Sequence, residues 1–294
     1  MTPSDVASGY DAVVGGAAAF ELDRDVVLVR GPDAVPYLQG QLSQDVAALV
    51  IGESAWSLLL QPQGKVDAWI RVTRTGDDAM LLDVDGGWGE AVVARLSRFK
   101  LRTKADIGSV PWRCVAVRGS AVPDLTGRET DVVAGADWPL IGGTDLLGPD
   151  PVPPDGVALA PLEVYEVRRI EAGLPRMGHE LTDRTIPAEA GVVERSVSFT
   201  KGCYTGQELV ARIDSRGGHV PRIIRGIVLE PGPLPEVGAV VEAGGREVGT
   251  LTSVAAHPGG YGVALASIRR DVEPPTEGAC AGLVATIRTL PLVS

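Results

Sequence analysis

Cys203 stands in the run Lys201-Gly202-Cys203-Tyr204-Thr205-Gly206-Gln207-Glu208, with a lysine two residues before it. Thr205 followed by Glu208 has the spacing of a capping box, so a helix is expected to begin near Gly206. A cysteine just ahead of a helix N-terminus and beside a lysine is in surroundings that favour the thiolate, and a thiolate is a nucleophile or a redox group. The same residues also fit an inert, buried cysteine in a glycine-flanked turn. A second candidate is Glu171. On a helix it shares a stripe with Val164, Val167 and Arg168, so it is either a surface ion pair with Arg168 or a carboxylate held beside apolar residues. The third group is Asp67, Trp69 and Arg71, which alternate with Val66, Ala68, Ile70 and Val72 and so share one strand face. That face looks either to solvent or into a cavity, where a flat heterocycle would stack on the indole. His179, His219 and His257 have no Cys or His partner at metal spacing; they read as satisfied histidines, and no metal site is expected.

The elements that must position these groups are partly legible. Residues 21–30 read as a strand closed by Gly31-Pro32-Asp33, followed by a helix capped by Asp33 that runs through Tyr37 to Leu42. Strands at 55–60, 66–73 and 79–84 form a meander around two polar turns. A helix follows over 88–100 and ends in the basic stretch Lys100-Leu101-Arg102-Thr103-Lys104. Residues 119–156 are rich in Gly, Pro and Asp, with weak periodicity and room for a strand or two. Pro161 opens the next helix, which Gly173 and Pro175 close. From about residue 218, short Val- and Ile-rich runs alternate with Gly/Pro turns, the pattern of a small β-barrel. The expected division is 1–217 and 218–294.

Bulk properties narrow the function classes. A chain of 294 residues has material for two or three domains. Its net charge of −11 argues against direct binding of nucleic acid, which rests on Lys and Arg neutralising phosphates. Cys114, Cys203 and Cys280 are odd in number and far apart, which fits a reducing compartment and gives no disulfide framework. No segment has about twenty uninterrupted apolar residues, so no membrane partner is expected. The chain reads as cytoplasmic. Only four of the 27 basic residues are lysines, which makes Lys201 more informative than a generic positive charge.

The Lys201 to Glu208 run resembles the signature of the YgfZ family, folate-binding relatives of the glycine cleavage system aminomethyltransferase. Four further segments resemble the same family in the same order: Tyr37-Leu38-Gln39-Gly40-Gln41-Leu42-Ser43-Gln44-Asp45, Gln63-Gly64-Lys65-Val66-Asp67, Arg98-Phe99-Lys100-Leu101-Arg102 and Arg169-Ile170-Glu171-Ala172-Gly173-Leu174-Pro175. The resemblance implies an α+β fold, a pseudo-ring of α+β subdomains around a central folate pocket with a small C-terminal β-barrel. It implies tetrahydrofolate or a one-carbon derivative as ligand. It further implies iron–sulfur proteins or assembly factors as partners, in support of iron–sulfur cluster assembly or repair and of iron–sulfur-dependent tRNA modification.

By the same resemblance, Glu171 would anchor the pterin, whose aminopyrimidine edge offers two N–H donors to a carboxylate. Asp67, Trp69, Tyr204 and Gln207 would belong to the cofactor site. Arg98, with Lys100, Arg102 and Lys104, would meet the anionic glutamate tail, although a charge run at a helix end also fits a solvated face. Cys203 would be the reactive group, with Lys201 lowering its pKa. The sequence departs from the aminomethyltransferases at Ala68, where they carry the second acid of an Asp-Asp pair. That leaves two alternatives beside the accessory role: a folate-dependent aminomethyltransferase and a non-catalytic interaction scaffold.

Overall fold

The computed structural model describes residues 3–125, 127–128 and 131–292. Helix α1 (Pro3–Gly15) leads into β1 (Ala17–Leu22), and Asp23 alone separates β1 from β2 (Arg24–Arg30). These two strands lie in different sheets. The single strand expected over 21–30 is therefore a crossover, pinned at Asp23, whose carbonyl accepts from the Gly86 N–H. One sheet has the order β1-β7-β9-β8, using β7 (Arg113–Gly119), β8 (Val132–Ala136) and β9 (Gly143–Gly148). The other has the order β3-β4-β5-β2-β6, using β3 (Ser54–Leu60), β4 (Val66–Gly76), β5 (Ala79–Asp85) and β6 (Asp106–Val110). The chain crosses back between the sheets at Pro111-Trp112.

The alternation of β4 is realised on both faces. Val66, Ala68, Ile70 and Val72 join a core with Leu38 of α2 (Ala34–Gln41) and Leu96 of α3 (Gly89–Arg98). The opposite face, with Trp69 and Arg71, turns toward the four-stranded sheet and is buried as well. Val26 and Leu81 from one sheet meet Cys114, Ala134 and Leu147 from the other, which fixes the two sheets face to face.

Helix α4 (Leu162–Ala172) starts after Pro161 and stops at Gly173, which takes the left-handed conformation (φ 70°) that glycine adopts without steric cost. It is a wedge. Val164 packs with Val13 and Phe20, whereas Val167 and Ile170 pack with Val263, Leu265 and Leu292 of the C-terminal unit. After α5 (Val193–Ser196) and α6 (Gln207–Ser215) come β10 (Arg222–Leu229), β11 (Val240–Ala243), β12 (Arg246–Ala256), β13 (Gly262–Arg269), β14 (Thr276–Cys280) and β15 (Leu283–Arg288). They close as β10-β13-β12-β11-β14-β15 around Ile227, Leu229, Val241, Leu251, Ile268 and Ile287. Closure leaves no unpaired strand edge, and each buried Leu or Ile contributes about 1.5–3 kcal/mol. The architecture is α+β with a closed six-stranded C-terminal barrel, as expected. Among the described residues no helix is long and apolar enough to cross a membrane.

Candidate functional site

The two sheets and α4 enclose a cavity of ≈ 690 Å³, within the range of small-molecule sites. Its aromatic wall follows from strand register. Trp69 of β4 lies opposite Leu58 of β3, and Trp56 lies one pleat along, so the two indoles meet diagonally across the strands. They stack, with ring centroids 4.1 Å apart and planes 17° apart. Trp138 meets Trp69 edge-on at 5.8 Å. The indole N–H of Trp69 donates to Ser196 Oγ (2.8 Å) and that of Trp138 to the Ala172 carbonyl (3.0 Å), so both rings are fixed in orientation.

Beneath this wall runs a buried chain of charges that ties the sheets together. Arg24 pairs with Asp85 and Asp83 (2.6 Å each), and Arg71 joins Asp83 (3.0 Å) to Asp145 (2.7 Å). Arg118 closes the chain on Asp145 at 2.7 Å. Burial alone would raise the Asp145 pKa, but Arg118, Arg71 and Arg24 outweigh it and hold the carboxyl below its ordinary value. Cys114 lies beside this network, and burial pushes its thiol far above the usual range, so it is a core side chain rather than a nucleophile.

Helix α4 and the segment after it form the mouth, with Glu163, Tyr165, Glu166 and Arg176. Glu166 accepts two hydrogen bonds from Arg169 (2.8 and 2.5 Å). Burial would raise its pKa; Arg169 and Arg176 prevail and keep it low. Burial raises that of Tyr165.

Of the residues singled out from sequence, Trp69 lines this cavity. Glu171 does not. It is 1% exposed and sits on the side of α4 that meets α1 and the barrel. There it accepts from Tyr10 (2.9 Å) and Arg168 (2.7 Å) and lies 3.0 Å from His257 Nε2. His257 Nδ1 accepts from the Gly259 N–H, which leaves the ring proton on Nε2, facing Glu171. Burial lowers the His257 pKa, while burial and the Glu171 bond raise that of Tyr10 to about 12. Asp67 is also outside the cavity, because Arg95 of α3 holds it at 3.0 Å. Arg98 is exposed on the last turn of α3, beside the Phe99 ring, and does not reach the cavity either.

The Lys201 to Glu208 loop differs from its expected form. Thr205 makes no cap; Gly206 occupies the cap position with φ 82°, and α6 begins at Gln207. The reason is a close approach of backbones. A Cβ on Gly206 would lie 2.5 Å from the Gln61 carbonyl oxygen, and one on Gly64 would lie 2.5 Å from Leu209 Cβ. The β3–β4 turn and this loop are thus pressed together through two glycines. Lys201 Nζ donates to the carbonyls of Gln39 (2.6 Å), Leu42 (2.7 Å) and Gln44 (2.8 Å), closing the C-terminal end of α2. Burial lowers its pKa to about 8. Its N–H groups are engaged by these carbonyls, so the expected action of Lys201 on the Cys203 thiol has no hydrogen bond to support it. Tyr204 is buried in the core with the Lys201 ammonium 5.4 Å from its ring centre, and Gln207 Oε1 accepts from the Tyr204 N–H. Neither touches the cavity. Cys203 is exposed.

Sequence reasoning missed Trp56, Trp138, Arg24 and Arg176. Trp56 carried a signal, since it occupies a strand paired with that of Trp69. Trp138 lies in the stretch 119–156, whose periodicity is too weak to assign a face.

The CAF17 C-terminal β-barrel domain family matches residues 222–283. The mouse iron–sulfur cluster assembly factor IBA57 is 30% identical over 278 residues, 82% of this chain and 75% of that protein. The chain belongs to the YgfZ/IBA57 family. An aminomethyltransferase of Thermus thermophilus is 30% identical over 308 residues, covering 90% of this chain and 84% of that protein. The crystal structure of glycine cleavage system aminomethyltransferase T from Bartonella henselae superposes with a TM-score of 0.81 at 19% identity, over 98% of this chain and 89% of that one. That likeness extends the YgfZ/IBA57 assignment to a shared aminomethyltransferase fold.

Proposed function

We propose that this YgfZ/IBA57-family chain binds tetrahydrofolate or a one-carbon derivative in the cavity between its sheets. In that state it would support iron–sulfur cluster assembly or repair in the cytoplasm and, through it, iron–sulfur-dependent tRNA modification. The observation that carries the folate reading is the Trp56–Trp69–Trp138 wall in a ≈ 690 Å³ cavity. A flat pterin has aromatic faces to stack against there. Asp23 and Glu163, exposed at the rim, make no ion pair among the described residues and are suited to accept from ring N–H groups. Bound folate would supply a one-carbon carrier; the protein would orient it and screen it from water. The assembly role draws on the name of the mouse relative. Cys203, free and exposed, is the candidate reactive group at the protein surface.

Aminomethyl transfer fits less well. Ala68 is in the core, Asp67 is held by Arg95, and β4 presents an indole to the cavity where an acid would be needed. The reading is tested by anaerobic calorimetric titration of tetrahydrofolate. Wild type should bind one equivalent, and Trp138→Ala should weaken it roughly tenfold, consistent with about 1–1.5 kcal/mol for an aromatic contact. Absence of wild-type binding would sink it. Rescue of a deletion strain by Cys203→Ser would instead favour the scaffold.

A further inference from the structure

We infer that Arg176, held in place by His179, is the anchor for an anionic tail on the cavity's ligand, so that the site selects a flat heterocycle carrying a carboxylate. This rests on the folate reading and names the group that would read the far end of that ligand.

Four arginines line the cavity: Arg24, Arg118, Arg169 and Arg176. Three are buried, with their guanidinium groups committed to partners within the protein. Arg24 is paired with Asp83 and Asp85, and its side chain is 9% exposed. Arg118 joins Asp145 and the carbonyls of Val117 and Thr144, at 4% exposure. Arg169, at 2%, is bonded to Glu166, Glu180, Ser253 and the Leu174 carbonyl. Arg176 differs. Its side chain is 39% exposed, and its nearest carboxylate, Glu166, is 3.7 Å away and already accepts two bonds from Arg169. A guanidinium carries five N–H donors in a planar fork that matches a carboxylate. Arg176 is therefore the exposed arginine of the cavity, with donors that no carboxylate takes up at hydrogen-bond distance.

One of those donors is used for positioning. Arg176 Nη2 lies 2.6 Å from His179 Nε2. Arginine has no acceptor, so Nε2 must accept and the ring proton sits on Nδ1, where it donates to the Thr252 carbonyl at 3.0 Å. The chain Arg176, His179, Thr252 thus fixes the guanidinium at the rim against β12 of the barrel. The turn carrying it is fixed too, since the carbonyl of Arg176 accepts from the N–H of His179 and of Leu181. His179 acts through Arg176 and is a positioning residue.

The experiment compares two probes by anaerobic calorimetry: tetrahydrofolate, and 6-methyltetrahydropterin, which has the ring system without the p-aminobenzoyl-glutamate tail. Arg176→Gln should weaken tetrahydrofolate roughly tenfold or more, the effect of losing a hydrogen bond to a charged group, and leave 6-methyltetrahydropterin unchanged. His179→Leu should give a smaller loss of the same kind, and His179→Gln, which keeps an acceptor, should restore affinity. Equal weakening of both probes would make Arg176 merely structural and overturn the inference. Unchanged tetrahydrofolate affinity in Arg176→Gln would overturn it while leaving the folate reading intact. If wild type binds neither probe, the folate reading fails and this inference falls with it.

Discussion

Glu171 and Lys201 show how a side chain of the right type can be engaged by structure. Glu171 balances the buried Arg168 guanidinium and takes a bond from Tyr10, so Glu171→Ala leaves a charge in the interior without its partner. The expected cost is about 3–5 kcal/mol, read from urea unfolding. Because the residue is outside the cavity, the folded variant should bind tetrahydrofolate with wild-type affinity; a loss of affinity at unchanged stability would return Glu171 to the binding site. Lys201 presents the complementary case, a cation with carbonyls for partners. Lys201→Met keeps the stem and removes those bonds. It should cost roughly 1.5–3 kcal/mol, in line with hydrogen bonds to a charged group, and the urea midpoint measures it. No change in the midpoint would mean that water replaces the ammonium at the end of α2.

At the scale of elements, the contact between the β3–β4 turn and the loop before α6 decides how that loop is built. Gly206→Ala forces a side chain into a left-handed position and against the Gln61 carbonyl oxygen. The conformational penalty and the overpacking together should cost about 2–4 kcal/mol in urea unfolding, whereas a loss under 1 kcal/mol would show that the loop relaxes. The same contact explains why the Thr205–Glu208 capping signal was overridden: a capping box is a local rule, and a backbone approach between distant segments outweighs it. Other elements were legible because their causes are local. The alternation of β4 and the Pro161 and Gly173 boundaries of α4 are properties of neighbouring residues. The crossover at Asp23 is not, since residues on both sides favour strand and only the choice of partner separates β1 from β2. For α4 the difficulty was different. Residues 167–172 are all buried, so a helical wheel finds apolar surroundings for Glu171 without telling the barrel side from the cavity side. Trp69 was separable from Asp67 on the same strand face only once the position of Arg95 was known.

Across the whole molecule, the two sheets that bound the cavity are joined both by the apolar cluster around Cys114 and by a clamp of buried charges. Asp145 is central to that clamp, as it takes both Arg71 and Arg118. Its folded pKa lies below the ordinary 3.8, and the sign of the pH effect follows. Above 3.8 the carboxylate is ionised in folded and unfolded chains, and its stabilising contribution is complete. As the pH falls below that value, the unfolded chain takes up the proton first, so the contribution is lost as the pH approaches the folded pKa. Asp145→Asn removes this group altogether and leaves Arg118 without its counter-charge. At neutral pH the variant should be less stable by about 3–5 kcal/mol. Below about pH 4 the gap between wild type and variant should narrow, because wild type is losing what the variant never had. Urea unfolding of both proteins between about pH 7 and pH 3 measures this. A gap that stays constant across that range would show that Asp145 does not hold the sheets together by charge, and the cavity would then owe its width to the apolar contacts around Cys114 alone.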